Sequence, residues 1–358
     1  MTGQSEPLLI VRGLSKRFGP LPVLQDVDFH VQKGEIFGII GISGAGKTTL
    51  LELLIGFQQP DKGDVQFKIG ESLLNTAPST HFVSVYDNQQ LMKHLFGFAS
   101  QKSSFYEDLT VRENLEYFGS LYELSKATLQ ANIATVLSLV ELNDHQHMLA
   151  QNLSGGMQKR LDIACSLVHN PDILILDEPT ADLDVMLRKQ LWNVIKQIKE
   201  NGKTVIVSSH HLDEIEQLCD TIAVLHNKKI ASQGNVSELR KHYAEHQEIH
   251  LELESHQYDS IITLLKKQNT YRITKLLSDG KKLIVHSPDA EKLFHYLIHL
   301  IEHLKEEIID LYLNKPSLSE VFENLITNPG FDKPGFDKPG FDNLGSGIKN
   351  ERNEGLAS

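Results

Sequence analysis

The sequence holds only two cysteines in 358 residues, Cys165 and Cys219. A chain of this length buries roughly three quarters of its unfolded surface, so no disulfide frame is needed. Two thiols in stretches that read as helices suit small buried hydrophobes of a reducing compartment. Cations are also short: 35 Lys and Arg against 47 Asp and Glu leave a net charge of −12. A nucleic-acid backbone rewards clustered cations, so no nucleic acid is expected as a partner. No apolar run approaches the roughly 20 residues of a membrane helix. The opening stretch MTGQSEPLLIVRG lacks a basic segment followed by a long apolar core, and no signal peptide is expected. Work at a membrane would therefore run through a partner. Sequons at Asn152 and Asn235 carry no meaning in such a chain.

What is present is an alternation of short apolar strands with amphipathic helices. LLIVRGLSKRF and VLQDVDFHV read as strands, and GEIFGIIG as a buried strand ending in glycine. KTTLLELLIGF follows at helical spacing, the signal weakens from Gln59 to His94, and LFGFAS reads as a strand. From Thr110 to Asn170 apolar residues recur three and four apart, which predicts helices. DILILDEP and TVIVSSHH are buried strands separated by the helix VMLRKQLWNVIKQIKENG; LDEIEQLCD is helical and TIAVLHNKKIASQG a hairpin. Strands alternating with helices imply an α/β fold with a parallel sheet. A second unit follows in the order β-α-β-β-α-β, with a hairpin about Asp279-Gly280, which matches a ferredoxin-like split βαβ. PSLSEVFENLI reads as one more helix, capped by Ser317. Residues 328–358, with their repeated Pro-Gly-Phe-Asp-Lys unit, read as a disordered tail.

The chemistry concentrates at the strand ends. GISGAGKT, from Gly41 through Ile42, Ser43, Gly44, Ala45 and Gly46 to Lys47 and Thr48, fits G-x-x-x-x-G-K-[ST] between a strand and a helix that continues through Thr49. Its backbone N–H groups and the helix start suit phosphate oxygens; Lys47 suits the β- and γ-phosphates and Thr48 a Mg²⁺ ion. Asp177 and Glu178 close a buried strand, Asp177 as a Mg²⁺ ligand and Glu178 as the general base for water. His210 closes another strand and is a candidate sensor of the γ-phosphate, ahead of its neighbour His211. Gln101 follows LFGFAS, where an amide suits orienting water or touching Mg²⁺. Phe18 suits either stacking on adenine or ordinary core packing. NLSGGMQKR is a second phosphate-binding start: Ser154 is a good N-cap, and Gly155 and Gly156 expose N–H groups at a helix N-terminus. Leu161, Ala164, Cys165 and Val168 give that helix an apolar face, and Lys159 and Arg160 read as solvated.

From Leu8 to Gly234 the chain resembles the nucleotide-binding domain of ABC transporters. GISGAGKT looks like Walker A, LILDEPTADLD like Walker B with the D-loop, ASQKSSFYEDLT like the Q-loop, SSHHLDE like the H-loop, and NLSGGMQKR like the family signature. The resemblance implies a P-loop NTPase of ABC type, with a parallel-sheet core, an antiparallel β-subdomain and a helical subdomain over about 102–170. A smaller ferredoxin-like domain over 245–327 would follow. It implies ATP and Mg²⁺ as cofactors and hydrolysis by two such domains, head to tail, docked on a membrane permease at the cytoplasmic face. In that arrangement the signature residues Ser154, Gly155 and Gly156 would cap the ATP held by the opposite domain's P-loop, and Asp184 of the D-loop is counted among the nucleotide-binding residues. YEDLTVRENLEYFGSLYEL and PSLSEVFENL are similar to the drug- and polysaccharide-exporter branch (ABC-2 type). An importer subunit and a non-transport member remain the alternatives. Two departures stand out: Ala181-Asp182-Leu183-Asp184 replaces the usual Ser-Gly-Leu-Asp, and Gly63 to His94 looks long, near the expected permease contact.

HLIEH, His299 to His303, fits a zinc-peptidase pattern, and His295, His299 and His303 share a helix face. With no third ligand evident, these histidines read as a polar stripe beside a core stripe of leucines and isoleucines.

Overall fold

The computed structural model describes residues 7–69, 81–87, 89–242 and 247–314. The helix expected over PSLSEVFENLI, the repeat tail and part of the long Gly63–His94 segment lie outside them.

In chain order the first unit runs β1 (Pro7–Phe18), β2 (Leu21–Gln32), β3 (Ile36–Ile40), α1 (Lys47–Leu54), β4 (Lys62–Ile69), β5 (His81–Ser84), α2 (Gln89–Leu95) and β6 (Phe96–Ala99). A helical stretch follows: α3 (Val111–Ser120), α4 (Lys126–Leu139) and α5 (Gly155–Leu167). Then come β7 (Ile173–Asp177), α6 (Val185–Glu200), β8 (Thr204–Ser209), α7 (Leu212–Leu218), the hairpin β9 (Thr221–His226) and β10 (Lys229–Gly234), and α8 (Val236–His242).

The central sheet has the order β10-β9-β3-β8-β7-β6, parallel throughout except for β10. Every residue of β3, β7 and β8 is buried. Strands covered on both faces are largely apolar, which is why these segments read as runs and not as alternations; apart from Thr204, their polar residues, Asp177, Ser208 and Ser209, sit at the carboxyl ends. Ile36 and Ile40 of β3 face the helices α3 to α7, whereas Phe37 and Ile39 face α1 and the antiparallel sheet β2-β1-β4-β5. Phe29 of β2 stacks on Phe37 at 5.4 Å, tying the two sheets together. Local chemistry sets the helix starts: at α3, Thr110 Oγ1 accepts the Glu113 N–H at 3.1 Å and Glu113 Oε2 accepts the Thr110 N–H at 2.8 Å, a reciprocal capping box.

The second unit is β11 (Glu248–Leu253), α9 (Asp259–Lys267), β12 (Lys275–Ser278), β13 (Leu283–His286), α10 (Ala290–Leu304) and β14 (Ile308–Asn314), an antiparallel sheet of order β12-β13-β11-β14. This is the ferredoxin-like order expected from the sequence. Ile249, Leu251 and Leu253 alternate inward against Leu293, Leu297 and Ile301 of α10. His295, His299 and His303 lie on the exposed side of α10, where His299 Nδ1 approaches Glu302 at 3.5 Å.

One buried histidine gives the first unit a pH dependence. His169, after α5, stacks flat on Tyr122 (3.8 Å between centroids), and its Nε2 lies 3.1 Å from the Phe96 carbonyl oxygen. Burial pushes its pKa down to about 4, against the opposing Phe96 hydrogen bond and with the help of His94 and Lys203. The unfolded histidine takes up its proton near pH 6.5. Below that value the unfolded state binds the extra proton and the folded state does not, so stability falls as pH falls from about 6.5 to 4. Between pH 7 and 5 the wild-type chain should lose about 2 kcal/mol more stability than His169→Gln, measured by urea denaturation.

Candidate functional site

The parallel register brings the chemistry together. Ile40 pairs with Ser209 and Asp177 with Ser208, so β3, β7 and β8 end on one edge. Ligands of open α/β sheets bind outside such carboxyl ends. Gly41 to Gly46 follow β3, Glu178 follows β7, His210 follows β8, and Gln101 lies just past β6.

Close neighbours restrict the loop after β3 at two of its glycines. A Cβ on Gly41 would lie 2.8 Å from the Leu225 carbonyl oxygen. Gly46, which caps α1, has φ 102°, and a Cβ there would meet Val23 Cγ1 at 2.9 Å. Ala45 closes the loop through its N–H to Ile42 O at 3.0 Å. The loop borders a cavity of about 400 Å³ lined by Ser43, Gly44, Gly46, Lys47, Thr48 and Thr49, with Val23, Gln101 and Glu178.

Lys47 is buried, and its ammonium donates to Gly41 O at 2.9 Å and pairs with Glu178 Oε1 at 3.2 Å. The other Glu178 oxygen lies 3.1 Å from His210 Nδ1. Burial pushes the Glu178 carboxyl up, but Lys47 and then His210 outweigh it and hold the pKa below the ordinary carboxylate value. Glu178 sits at φ 48°, a backbone region that a non-glycine residue adopts only when its neighbours enforce it. Ser208 supplies that enforcement: its carbonyl accepts the Glu178 N–H at 3.2 Å and its Oγ at 3.0 Å. Ser208 Oγ donates in turn to Asp177 Oδ1, while Thr48 Oγ1 donates to Asp177 Oδ2 at 2.7 Å. Thr48, Asp177 and Gln101 can each turn an oxygen atom to a ligand, a donor set that fits a hard cation such as Mg²⁺.

Phe18, at the end of β1, is 48% exposed, with Lys16 Nζ 5.5 Å from its ring centre. It is not a core residue. His211 stacks at a tilt on His210, 4.1 Å between centroids, and is not in the carboxylate cluster.

The second phosphate-binding start stands apart. Ser154 caps α5, its Oγ accepting the Met157 N–H at 3.4 Å. Ser154 and Gly155 are exposed, and Gly156 is packed against Leu187 of α6. Neither they nor Asp184 line the Lys47 cavity. Asp184 caps α6, its Oδ1 accepting the N–H groups of Met186 and Leu187, both at 2.9 Å.

The helix α5 is tied to the segment after β6. Lys159 Nζ donates to Gln101 O at 3.0 Å, and Asp162 accepts the Ser104 N–H at 2.9 Å and its hydroxyl at 2.8 Å. Burial pushes the Asp162 carboxyl up, against the pull of Ser104 and Lys159. Arg160 does not match the solvated side chain expected from sequence. Its side chain is 12% exposed, pairs with Glu141 at 2.7 Å and donates to Gln190 at 3.3 Å. Those partners lie 19 and 30 residues away, beyond the reach of local periodicity.

Ser208 is the site residue that sequence analysis missed. The signal available was its place one residue before the end of a buried strand. Ser208→Ala removes one donor and one acceptor from a buried network, and should cost about 1–3 kcal/mol of stability in urea denaturation.

Comparison with known proteins gives the family. The family profile described as ABC transporter matches residues 24–181. Nod factor export ATP-binding protein I of Ralstonia nicotianae is 36% identical over 238 residues, covering 66% of this chain and 70% of that protein. Daunorubicin resistance ATP-binding protein DrrA3 of Streptomyces coeruleorubidus is 29% identical over 324 residues, 90% of this chain and 96% of that one. A solved ATP-binding subunit of an ABC transporter superposes with a TM-score of 0.56 at 28% identity, covering 66% of this chain and 93% of the other. With its strand-end cavity, its separate signature helix and these relatives, the chain belongs to the ABC transporter family of ATP-binding proteins.

Proposed function

We propose that the chain is the ATP-hydrolysing subunit of an exporter, works as a head-to-tail pair and energises transport through a separate membrane permease. One observation carries the pairing. The chain builds two phosphate-binding starts, yet Ser154 and Gly155 are exposed and contribute nothing to the Lys47 cavity. In a head-to-tail pair, the α5 N-terminus of one chain reaches the nucleotide on the other chain's Lys47, and the turn ending at Asp184 lies at the seam. Each chain is then half of two sites.

The residues divide the work as follows. Phe18 stacks on adenine. The backbone N–H groups of Gly41 to Thr48 take phosphate oxygens, and Thr49 extends the helix start behind them. Thr48, Asp177 and Gln101 would hold Mg²⁺, which when bound neutralises charge on the phosphate oxygens. Lys47 is shared among Gly41 O, Ile42 O and Glu178. A γ-phosphate competes for the same ammonium, and every step Lys47 takes toward phosphate withdraws the cation that keeps Glu178 a weak base. Substrate binding thereby raises the basicity of the carboxylate that takes the proton from water. His210 holds the second Glu178 oxygen and faces the γ-phosphate.

Export is supported by relatives whose names concern Nod factor export and drug resistance. No helix among the described residues is long and apolar enough to cross a membrane, so the membrane path belongs to the permease. A groove of about 750 Å³, bordered by Phe57, Phe118, Leu121 and Tyr122 and by the polar Gln89, Gln90, Lys93 and Glu123, offers the permease a mixed polar and aromatic dock at the cytoplasmic face. In this reading the nucleotide-binding domain is the segment 8–234, with its helical subdomain over 102–170, and the described residues 247–314 belong to the accessory domain.

Glu178→Gln should bind ATP as the wild type does, hydrolyse it ~10²–10⁴-fold more slowly, and elute as a pair in size-exclusion chromatography with ATP. Turnover at the wild-type rate would refute Glu178 as the base.

A further inference from the structure

One buried carboxylate near the site has no part in the scheme above. Glu214, in the first turn of α7, is 5% exposed. Three donors from three segments converge on it. Thr180 Oγ1 donates to Oε2 at 2.5 Å, Ser209 Oγ to Oε2 at 3.4 Å, and Arg188 Nη1 to Oε1 at 3.1 Å. Thr180 lies two residues past Glu178, and Ser209 immediately precedes His210. Arg188, in α6, also donates through Nε to Leu183 O at 2.7 Å, and so holds the turn that leads to Asp184. Ser209 Oγ accepts the His211 N–H at 3.0 Å, which fixes the path of the chain beyond His210.

These ties bracket a strained stretch. Glu178 has φ 48° and Asp182 φ 65°. Ser208 restrains Glu178 from the strand side, and Glu214 restrains the chain just beyond it through Thr180. A carboxylate accepting from hydroxyls and a guanidinium forms charge-assisted bonds, stronger than neutral ones and directional. Such bonds can hold a backbone in a region it would otherwise leave.

We propose that Glu214 is a positioning residue for hydrolysis. It sets Glu178, His210 and the 181–184 turn relative to one another, although it lines no part of the Lys47 cavity. The inference rests on Glu178 being the general base. A small displacement of a reacting group has a large effect on rate and little on ground-state binding. Loss of Glu214's bonds therefore acts on kcat and leaves KM for ATP unchanged. A purely structural Glu214 would instead lower thermal stability and leave the turnover of the folded protein intact.

The test uses the full chain and four variants: Thr180→Val, Glu214→Gln, the double variant and Glu178→Gln. Thr180→Val keeps the shape of the side chain and removes only the hydroxyl. Thr180→Val and Glu214→Gln should each lower kcat by about 10–100-fold, with KM for ATP and binding of a fluorescent ATP analogue unchanged. The double variant should be no slower than the slower single variant, because both remove the same tie. Wild-type kcat in folded Thr180→Val, or multiplicative losses in the double variant, would overturn the proposal. Should Glu214→Gln not fold, Thr180→Val alone decides. If Glu178→Gln hydrolyses ATP like the wild type, the base assignment fails on its own account. If Glu178→Gln is inactive while Thr180→Val is unimpaired, only the role of Glu214 fails.

Discussion

Lys47 and Glu178 meet across 3.2 Å at the ends of two strands that are not neighbours. β8 lies between β3 and β7 in the sheet. The contact exists because all three strands run in one direction and stop on one edge. Both side chains are largely buried, 5% and 15% exposed, and an ion pair in that setting costs much desolvation. The cost is offset because each partner is bonded further: Lys47 to two loop carbonyls, Glu178 to His210. The fold thus stores a cation and a base against each other. In the proposed function, the phosphate end of a nucleotide is the ligand that separates them.

The rest of the first unit serves that edge. The antiparallel sheet and α1 cover one face of the central sheet, and α3 to α7 cover the other. The glycine loop after β3 is shaped by Val23 and Leu225, which belong to different sheets. On the far side, α5 carries an exposed N-terminus at Ser154. It is fastened by Lys159 to the Gln101 backbone and by Asp162 to Ser104. The segment that lines the chain's own cavity and the helix that carries Ser154 are thereby joined by direct hydrogen bonds.

Much of this was legible in the sequence, because its carriers are local. Strands buried on both faces show as apolar runs, helices show three- and four-residue spacing, and the loop from Gly41 to Thr48 has a fixed length between them. The ferredoxin-like order of β11 to β14 was legible for the same reason, with Asp279-Gly280 marking the hairpin. The unread parts depend on long-range partners. Arg160 reads as a solvated side chain in the sequence because nothing near it announces Glu141 or Gln190. Ser208 and Asp162 are ordinary polar residues until the register of β7 with β8, or the packing of α5, gives them partners. Phe18 was open between core and surface, and its 48% exposure places it on the surface.

The central claim is that each site is assembled from two chains, and counting trapped nucleotide tests it most directly. Two forms of the chain, both carrying Glu178→Gln, would be prepared with different affinity tags, one with Ser154→Arg and the other with Lys47→Ala. Mixed pairs would be isolated through both tags and their occluded ATP counted. The account predicts a single occluded ATP per mixed pair, held by Lys47 of the first chain and Ser154 of the second. Pairs made of either form alone should occlude none. No occluded ATP in the mixed pairs, or equal trapping by the single forms, would contradict the sharing of sites.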